Sequence, residues 1–174
     1  MTSRRKGRRY PAGVQESSEP RWLDDDERQA WLILASLMMQ LGPALDAQLR
    51  RDVGLSYFEY VVLSVLSEAT ERTRRMSELA ALADGSLSRL SQVVGRLEGR
   101  GWVRRCPDPA DGRFTLAILT EAGWEKVVEA APGHVGEVRR MVFDPLTPRQ
   151  VRHLTDIGQR ILRAVAPQEG RPER

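Results

Sequence analysis

One stretch of the chain, residues 76–123, constrains the fold more strongly than any other. Ser77 can cap a short helix, because its hydroxyl can accept a bond from an unpaired N–H of the first turn. The apolar residues that follow suit a helix facing a core, and Asp84-Gly85 is a turn-forming pair that would end it. The pattern predicts a short helix followed by a tight turn.

A second predicted helix begins directly after this turn, with Ser86 as its cap. Its apolar residues recur at helical spacing and predict one buried stripe: Leu90, Val93, Val94 and Leu97. Polar and basic side chains lie off that stripe: Ser88, Arg89, Ser91, Gln92 and Arg96. Gly99 and Gly101 predict the end of the helix.

Two strand-like runs follow, over residues 102–106 and 113–119, and a loop rich in Pro, Asp and Gly joins them. In the second run three apolar residues alternate onto one face: Phe114, Leu116 and Ile118. Helix, turn, helix and two-stranded ribbon is the order of a winged helix-turn-helix, which places one helix in the DNA major groove. We therefore predict a mainly α protein with a small β-hairpin wing.

This stretch resembles the MarR family of bacterial transcriptional regulators. The matching segments are Leu79-Ala80, Ser86-Leu87-Ser88-Arg89, Arg96-Leu97-Glu98, Gly101-Trp102-Val103, and above all Asp108-Pro109-Ala110-Asp111-Gly112-Arg113 with Leu119-Thr120-Glu121-Ala122-Gly123. The resemblance is dense across residues 76–123 and extends by helix pattern from about 28 to 165. It implies a homodimeric repressor of a near-palindromic operator in double-stranded DNA, with a small aromatic or phenolic acid as its usual effector.

The whole chain divides into an arm, a domain and a tail. The predicted parts are a disordered basic arm (1–22), a MarR-type domain (23–166) with its winged helix-turn-helix at about 55–120 and dimerisation helices at about 25–50 and 121–166, and a polar tail (167–174). The arm could follow DNA phosphates, or it could only add solubility.

Local signals locate breaks and caps in the remaining helices. Gly42-Pro43 predicts a kink or a break in the first helix, and Pro132-Gly133 predicts an interruption in the helix that follows the ribbon. Residues 68–75 are predicted to be a charged connector. Helix caps are predicted at Ser56, which forms a capping box with Glu59, at Thr120 and at Thr147.

The first and last helices carry more apolar surface than a compact helix-turn-helix core needs. The stripe of the first is Trp31, Leu34, Leu37, Met38, Leu41, Leu45 and Leu49, and that of the last is Val151, Leu154, Ile157, Ile161, Leu162 and Val165. By resemblance, these helices pack against their equivalents in a second subunit. The alternative is that they cover each other in a monomer.

The front of the second helix of the motif carries the predicted DNA contacts. Arginine can bond a guanine edge bidentately and glutamine an adenine edge, so base contacts are predicted for Ser88, Arg89 and Gln92. Contacts to phosphates, which orient a protein without reading sequence, are predicted for Ser86, Ser91 and Arg96. The alternative for Arg96 is an ion pair with Glu98 or Glu78.

The loop of the ribbon adds a second predicted contact. Asp111 and Arg113 match the acid and the arginine of the family's wing, and the resemblance implies that the acid orders the wing while the arginine meets the minor groove or the backbone. Gly112 stands where many relatives carry a second basic residue, so the wing tip has less charge. A purely structural Asp111–Arg113 pair is the alternative.

The distribution of charge favours an anionic partner. The net charge is only +3, but six arginines lie within residues 89–113 while four acids occupy residues 24–27. The alternative is a solvated basic face.

The residues give no support for an enzyme, a cofactor or a metal site. Cys106, His134 and His153 form no recognised nucleophile or ligand motif, and one cysteine excludes an internal disulfide. We expect no apolar run that approaches the length of a membrane span, and no secretory signal is recognisable, so we expect a cytoplasmic protein. The rival class is a winged-helix adaptor for protein or RNA, which would tolerate apolar or acidic residues at the front of the second helix.

The resemblance implies an effector site between the dimerisation helices and the DNA-binding lobe, which residues of the first two helices could line. The candidates are Trp31, Met38, Tyr57 and Tyr60. The alternative is that these side chains are plain core.

Overall fold

The computed structural model describes residues 20–165, so most of the predicted arm and the polar tail lie outside the described residues. These residues form two units, one ending at Leu37 and one beginning at Met38. The elements are α1 (Asp25–Val53), α2 (Tyr57–Ser67), β1 (Thr73–Arg75), α3 (Met76–Leu82), α4 (Leu87–Gly99), β2 (Val103–Pro107), β3 (Thr115–Leu119), α5 (Glu121–Val138) and α6 (Pro148–Val165), with a 3₁₀ turn at Thr70–Arg72 and a π-helical turn at Arg139–Phe143. The predicted fold class, mainly helical with a small sheet, is confirmed.

The first unit is the beginning of α1 with the residues that precede it. The carboxylate of Asp24 accepts a bond from the N–H of Glu27 at 2.8 Å, and the Glu27 carboxylate accepts one from the N–H of Asp24 at 3.0 Å. This reciprocal cap fixes where the helix starts. Six large apolar side chains of the unit are exposed, while Leu34 is half-buried: the exposed ones are Trp22, Leu23, Trp31, Leu32, Ile33 and Leu37.

Helix α1 continues through Pro43, so of the two predicted alternatives the break is wrong, whereas the kink stays a prediction. Proline removes one helical hydrogen bond, but Leu45, Gln48 and Leu49 beyond it are buried, and their packing holds the last turns in place. The helix also contains a window of mean hydropathy 1.3 that is long and apolar enough to cross a membrane. The expectation that no such run exists was wrong, although this feature by itself is weak evidence for a membrane.

The core of the second unit is built from the end of α1, from α2, α3, α4 and α5, and from the inner face of the sheet. Its fully buried side chains include Leu49, Leu55, Val62, Leu63, Leu66, Leu79, Leu90, Val94, Leu97 and Ala117. The predicted capping box at the start of α2 is confirmed, since Ser56 N–H donates to the Glu59 carboxylate at 2.8 Å and Glu59 N–H donates to the Ser56 hydroxyl at 3.2 Å. These contacts fix the entry of the chain into the core.

The turn between α3 and α4 follows the prediction, but the start of α3 does not. Ser86 caps α4, accepting a bond from the N–H of Arg89 at 3.2 Å, and Asp84 takes a left-handed conformation with φ 51°. The residue at the cap position of α3 is Arg75 rather than Ser77, and no side chain bonds there. The reason is that β1 runs directly into α3, so Ser77 already lies inside the first turn.

The sheet has three strands in the order β1-β3-β2, all antiparallel, where two were predicted. The extra strand lies in the predicted charged connector and pairs Thr73 with Ile118 and Arg75 with Leu116. Its three residues are too few to show alternation. On β3 the buried residues are Ala117 and Leu119, so the apolar face noted in the sequence is the more exposed one.

The last two helices begin where predicted. The Thr120 hydroxyl accepts a bond from Gly123 N–H at 3.0 Å, and Thr147 and Gln150 bond reciprocally at the start of α6. The interruption predicted at Pro132 is wrong, because α5 continues to Val138. None of the residues described in α6 is buried.

Candidate nucleic-acid interface

Helix α4 presents two exposed faces on either side of its buried stripe. Arg89, Gln92 and Arg96 share one face by helical spacing and line a cavity of about 860 Å³ with residues of α1 and α2. Ser91 lies on the other face and, with Arg113 of the wing, lines a trough of about 270 Å³. Ser86 and Ser88 are exposed at the start of the helix. All of these predicted contact residues are therefore accessible around α4 and the wing.

Arg89 rests on an aromatic ring that the sequence analysis did not single out. Its guanidinium carbon lies 4.1 Å from the centroid of the Phe58 ring, which belongs to α2 and also lines the cavity. A guanidinium is attracted to the negative face of such a ring. The contact holds the predicted base-reading arginine at the edge of the cavity.

Arg96 has an ion-pair partner, but not one that the sequence suggested. Its Nε lies 3.4 Å from the carboxylate of Glu59, which is buried at the start of α2. Burial alone would raise the pKa of Glu59, but bonds from Ser56 and the cations Arg100 and Arg96 outweigh it, so the pKa lies below its usual value. The Arg96 side chain stays 56% exposed, which leaves it able to meet a phosphate as well.

Arg113, which lines the trough between α4 and the wing, is paired with Asp111. Arg113 donates to Asp111 through Nη2 at 2.6 Å and through Nε at 2.9 Å, and its hydrogen bonds lower the pKa of that carboxyl. The arginine is nevertheless 84% exposed. The arrangement orders the wing tip while leaving its guanidinium accessible to a nucleic acid.

The base of the wing is held by a pair that sequence reasoning missed. The Asp108 carboxylate, buried where β2 meets the loop, accepts bonds from Arg75 Nε at 2.8 Å and from Ala110 N–H at 2.9 Å. These two donors hold the pKa of Asp108 below its usual value. Arg75 also lies over the Phe114 ring at 4.5 Å. No local signal could pair these residues, because β1 itself was not predicted.

Several arginines of the basic segment are engaged within the protein. Arg105 donates to Glu98 at 2.6 Å, and Arg100 donates to the carbonyl of Gly54 at 3.3 Å while lying over Trp102. Glu98 is thus the partner of Arg105 and not of Arg96. The positive charge available to a partner is smaller than the arginine count of the segment suggested.

Of the effector candidates, the three in the second unit do not line one site. Tyr57 lines the cavity, whereas Tyr60 is buried in the core with its ring centroid 4.5 Å from that of His134. Met38 is 61% exposed on α1, and Trp31 is 52% exposed in the first unit. The cavity lining has instead three arginines, Arg50, Arg89 and Arg96, beside the rings of Tyr57 and Phe58.

A capped helix following a tight turn, with accessible arginine, serine and glutamine beside an ordered wing, defines a DNA-binding protein of the winged helix-turn-helix class. Similarity to known proteins identifies the family within this class. A model of the MarR family matches residues 53–113. Sco3205 of Streptomyces coelicolor, a MarR family transcriptional regulator solved in complex with DNA, is 43% identical to this chain, and the similarity covers 88% of this chain and 96% of that one with a TM-score of 0.84.

Two further similar proteins are also transcriptional regulators. AbsC, a MarR family transcriptional regulator of the same organism, is 36% identical, with 84% of this chain and 98% of that chain covered and a TM-score of 0.80. The transcriptional repressor IacR of Pseudomonas putida is 31% identical over 107 residues, which is 62% of either protein and less than two thirds of IacR. The chain belongs to the MarR family of transcriptional regulators.

Proposed function

We propose that this regulator is a repressor that binds a near-palindromic operator in double-stranded DNA as a homodimer and responds to a small aromatic acid. The observation that carries the proposal is the exposed front of α4, where Arg89 and Gln92 lie on one face and Ser91 lies on the other, beside Arg113 of the wing. Arginine and glutamine at the start of a recognition helix are suited to base edges. Repression would follow from occupation of a promoter. The proposed location is the cytoplasm, where the protein would bind that DNA.

The proposal of a homodimer is supported by α6. This helix has 18 residues, none of which is buried. Its apolar stripe is therefore exposed, at Leu154, Ile157, Ile161, Leu162 and Val165. An isolated helix of this length is marginal in water, so an amphipathic helix needs an apolar surface to cover it. A second copy of the chain supplies a matching helix, and two-fold symmetry matches the near-palindrome. Leu45 is buried in its own chain and so drops out of the dimer surface expected from sequence.

The proposal of an aromatic acid as effector is supported by the cavity. Tyr57 and Phe58 supply rings against which an aromatic ligand can pack, Arg89 beside them supplies a guanidinium for a carboxylate, and the volume of about 860 Å³ suits a small molecule. Two acids, Asp46 and Asp84, also line the cavity, and Asp46 is paired with Arg50 at 2.6 Å. Of the original candidates, Tyr57 alone remains in this proposal.

The adaptor alternative predicts a different surface. A winged helix that binds protein would be expected to carry an apolar or acidic front on α4. The front of this helix exposes one apolar side chain, Leu87, among four polar or basic ones: Ser88, Arg89, Ser91 and Gln92. An RNA adaptor would bind single strands or an A-form duplex at least as tightly as B-form DNA. Competition by RNA of the same sequence separates these possibilities.

The test of the proposed function is selection of a preferred duplex from a random library, followed by footprinting. We expect protection of two half-sites about 34–36 Å apart, with two chains per duplex. Arg89→Ala should cost about 1–3 kcal/mol on the selected duplex and relax preference at one base pair per half-site, while Arg96→Ala should weaken selected and random DNA alike. Protection of a single half-site by one chain, or a uniform loss from Arg89→Ala, would contradict the proposal.

A further inference from the structure

The ring of Phe58 lies in contact with two parts of the helix-turn-helix motif at once. The Arg89 guanidinium lies 4.1 Å from its centroid, and a Cβ built on Gly85 would lie 2.6 Å from its Cζ atom. Phe58 thus fits against the turn before α4 as well as against the arginine on the first turn of that helix. The ring is only partly buried and packs against the core.

Close approach, and not backbone conformation, makes glycine necessary at position 85. Among the described residues, the glycines with positive φ are Gly54 and Gly101, so an alanine backbone at position 85 would be unstrained. The obstacle is the Phe58 ring, which a methyl group would have to displace. The turn therefore contains a space that fits this ring.

We infer that Phe58 is a positioning residue that sets the base preference of the regulator by holding Arg89, an inference that rests on the proposed role of Arg89 in reading a base. An arginine loses much rotamer freedom when it forms two bonds to a base edge, and a side chain held beforehand loses less. A guanidinium over a ring face keeps the N–H donors of its edge for another partner. The ring therefore favours the arginine conformation that presents a fork of donors.

The experiment measures binding of wild type and variants to the selected duplex, to random duplex and to duplexes with single base-pair changes. Phe58→Leu removes the ring but keeps an apolar side chain, and we expect it to lower the ratio of selected to random affinity about fivefold, the size of one exposed cation–π contact. Phe58→Tyr keeps the ring face and should keep the ratio. Gly85→Ala should reproduce the loss by displacing the ring, which keeps the test decisive if Phe58→Leu folds poorly.

The matched control is Phe143→Leu, which makes the same substitution at an exposed phenylalanine of the π-helical turn after α5, outside the cavity and the helix-turn-helix motif. It should leave the base preference unchanged. In the Arg89→Ala background, Phe58→Leu should have no further effect on the ratio.

Two outcomes would overturn the inference, and they differ. If Arg89→Ala relaxes one base pair while Phe58→Leu and Gly85→Ala leave that preference intact, the positioning role is refuted and the proposed function stands. If Arg89→Ala itself lowers both affinities equally, base reading by Arg89 fails and the inference fails with it. Loss of preference at the same base pair in all three variants, with Phe58→Tyr like wild type, supports it.

Discussion

The arginines around α4 and the wing differ in the group that each of them contacts within the protein. Arg89 rests on the ring of Phe58, Arg96 on the buried carboxylate of Glu59, and Arg113 on Asp111 within its own loop. A side chain held by a neutral ring keeps its full charge for a partner, whereas one held by a carboxylate is partly neutralised. These differences predict different roles for residues of one type.

Arg113→Ala should weaken binding severalfold, and most strongly on operators with A·T-rich flanks. The guanidinium is exposed at the wing tip, and A·T-rich DNA has a narrow minor groove that concentrates negative potential. Affinities for duplexes that differ only in their flanks measure the effect, and Asp111→Ala should give a partial version by loosening the wing. Arg104→Ala removes an exposed arginine from β2 and should show no dependence on the flanks. Equal losses on both kinds of flank would assign Arg113 to phosphates alone.

At this scale the sequence predicted residues that act within a local pattern and missed those that act across elements. Ser86, Asp111 and Arg113 follow from caps and from a loop signature. Phe58, Glu59 and Asp108 meet their arginines 31–37 positions away, and no local pattern reveals such pairs. Gly123 of the family signature shows the physical reason for one motif residue, because a Cβ there would collide with the carbonyl oxygen of Trp102.

Ser86, at the start of α4, both caps the helix and is a predicted contact to a DNA phosphate. The Ser86 hydroxyl accepts from Arg89 N–H, so its own hydrogen remains available to a phosphate. Ser86→Ala should cost about 1 kcal/mol of unfolding free energy, whereas Ser86→Asp should keep the cap and suit the positive end of the helix. The affinity for DNA should instead decrease from wild type to Ser86→Ala and further to Ser86→Asp, because a carboxylate repels phosphates. Denaturant unfolding and DNA titration separate the two effects, and Ser86→Asp protein that bound DNA like wild type would remove Ser86 from the contact.

Element boundaries show where sequence reasoning fails for physical reasons. Caps at Ser56, Ser86, Thr120 and Thr147 were predictable because a single side chain decides each of them. The continuation of α1 through Pro43 and of α5 through Pro132 was not predictable, because a proline costs a helix one hydrogen bond and packing elsewhere can outweigh that cost. Strand β1 exists only through its pairing with β3.

The stability of the whole fold should depend on pH through His134. Burial lowers the pKa of this histidine, whose ring lies against those of Tyr57 and Tyr60, and within the described residues its Nδ1 atom has no hydrogen-bond partner. The unfolded chain therefore binds the proton more readily, and stability should fall as pH decreases below about 6.5 towards the lower folded value. His134→Phe should remove this slope between pH 7.5 and 5.5 and leave the protein at least as stable at pH 7.5. An unchanged slope in thermal unfolding of the variant would contradict the assignment.

The assembly depends on the apolar stripe of α6, and Ile157 lies at its middle, 53% exposed. If this stripe is covered by a second copy, a carboxylate there would be buried without a partner, which proteins tolerate poorly. Ile157→Asp should therefore dissociate the dimer and abolish operator binding, because the two copies of α4 would lose their fixed spacing. Gln159→Asp adds the same charge to the opposite face and should change neither property. Sedimentation and footprinting provide the readouts.

A folded Ile157→Asp monomer that bound one half-site weakly would fit the proposal, since the reading surface would survive without its partner. A folded variant that remained dimeric and bound the full operator normally would refute the role of α6, and the cover of this stripe would then have to be another protein or a lipid surface.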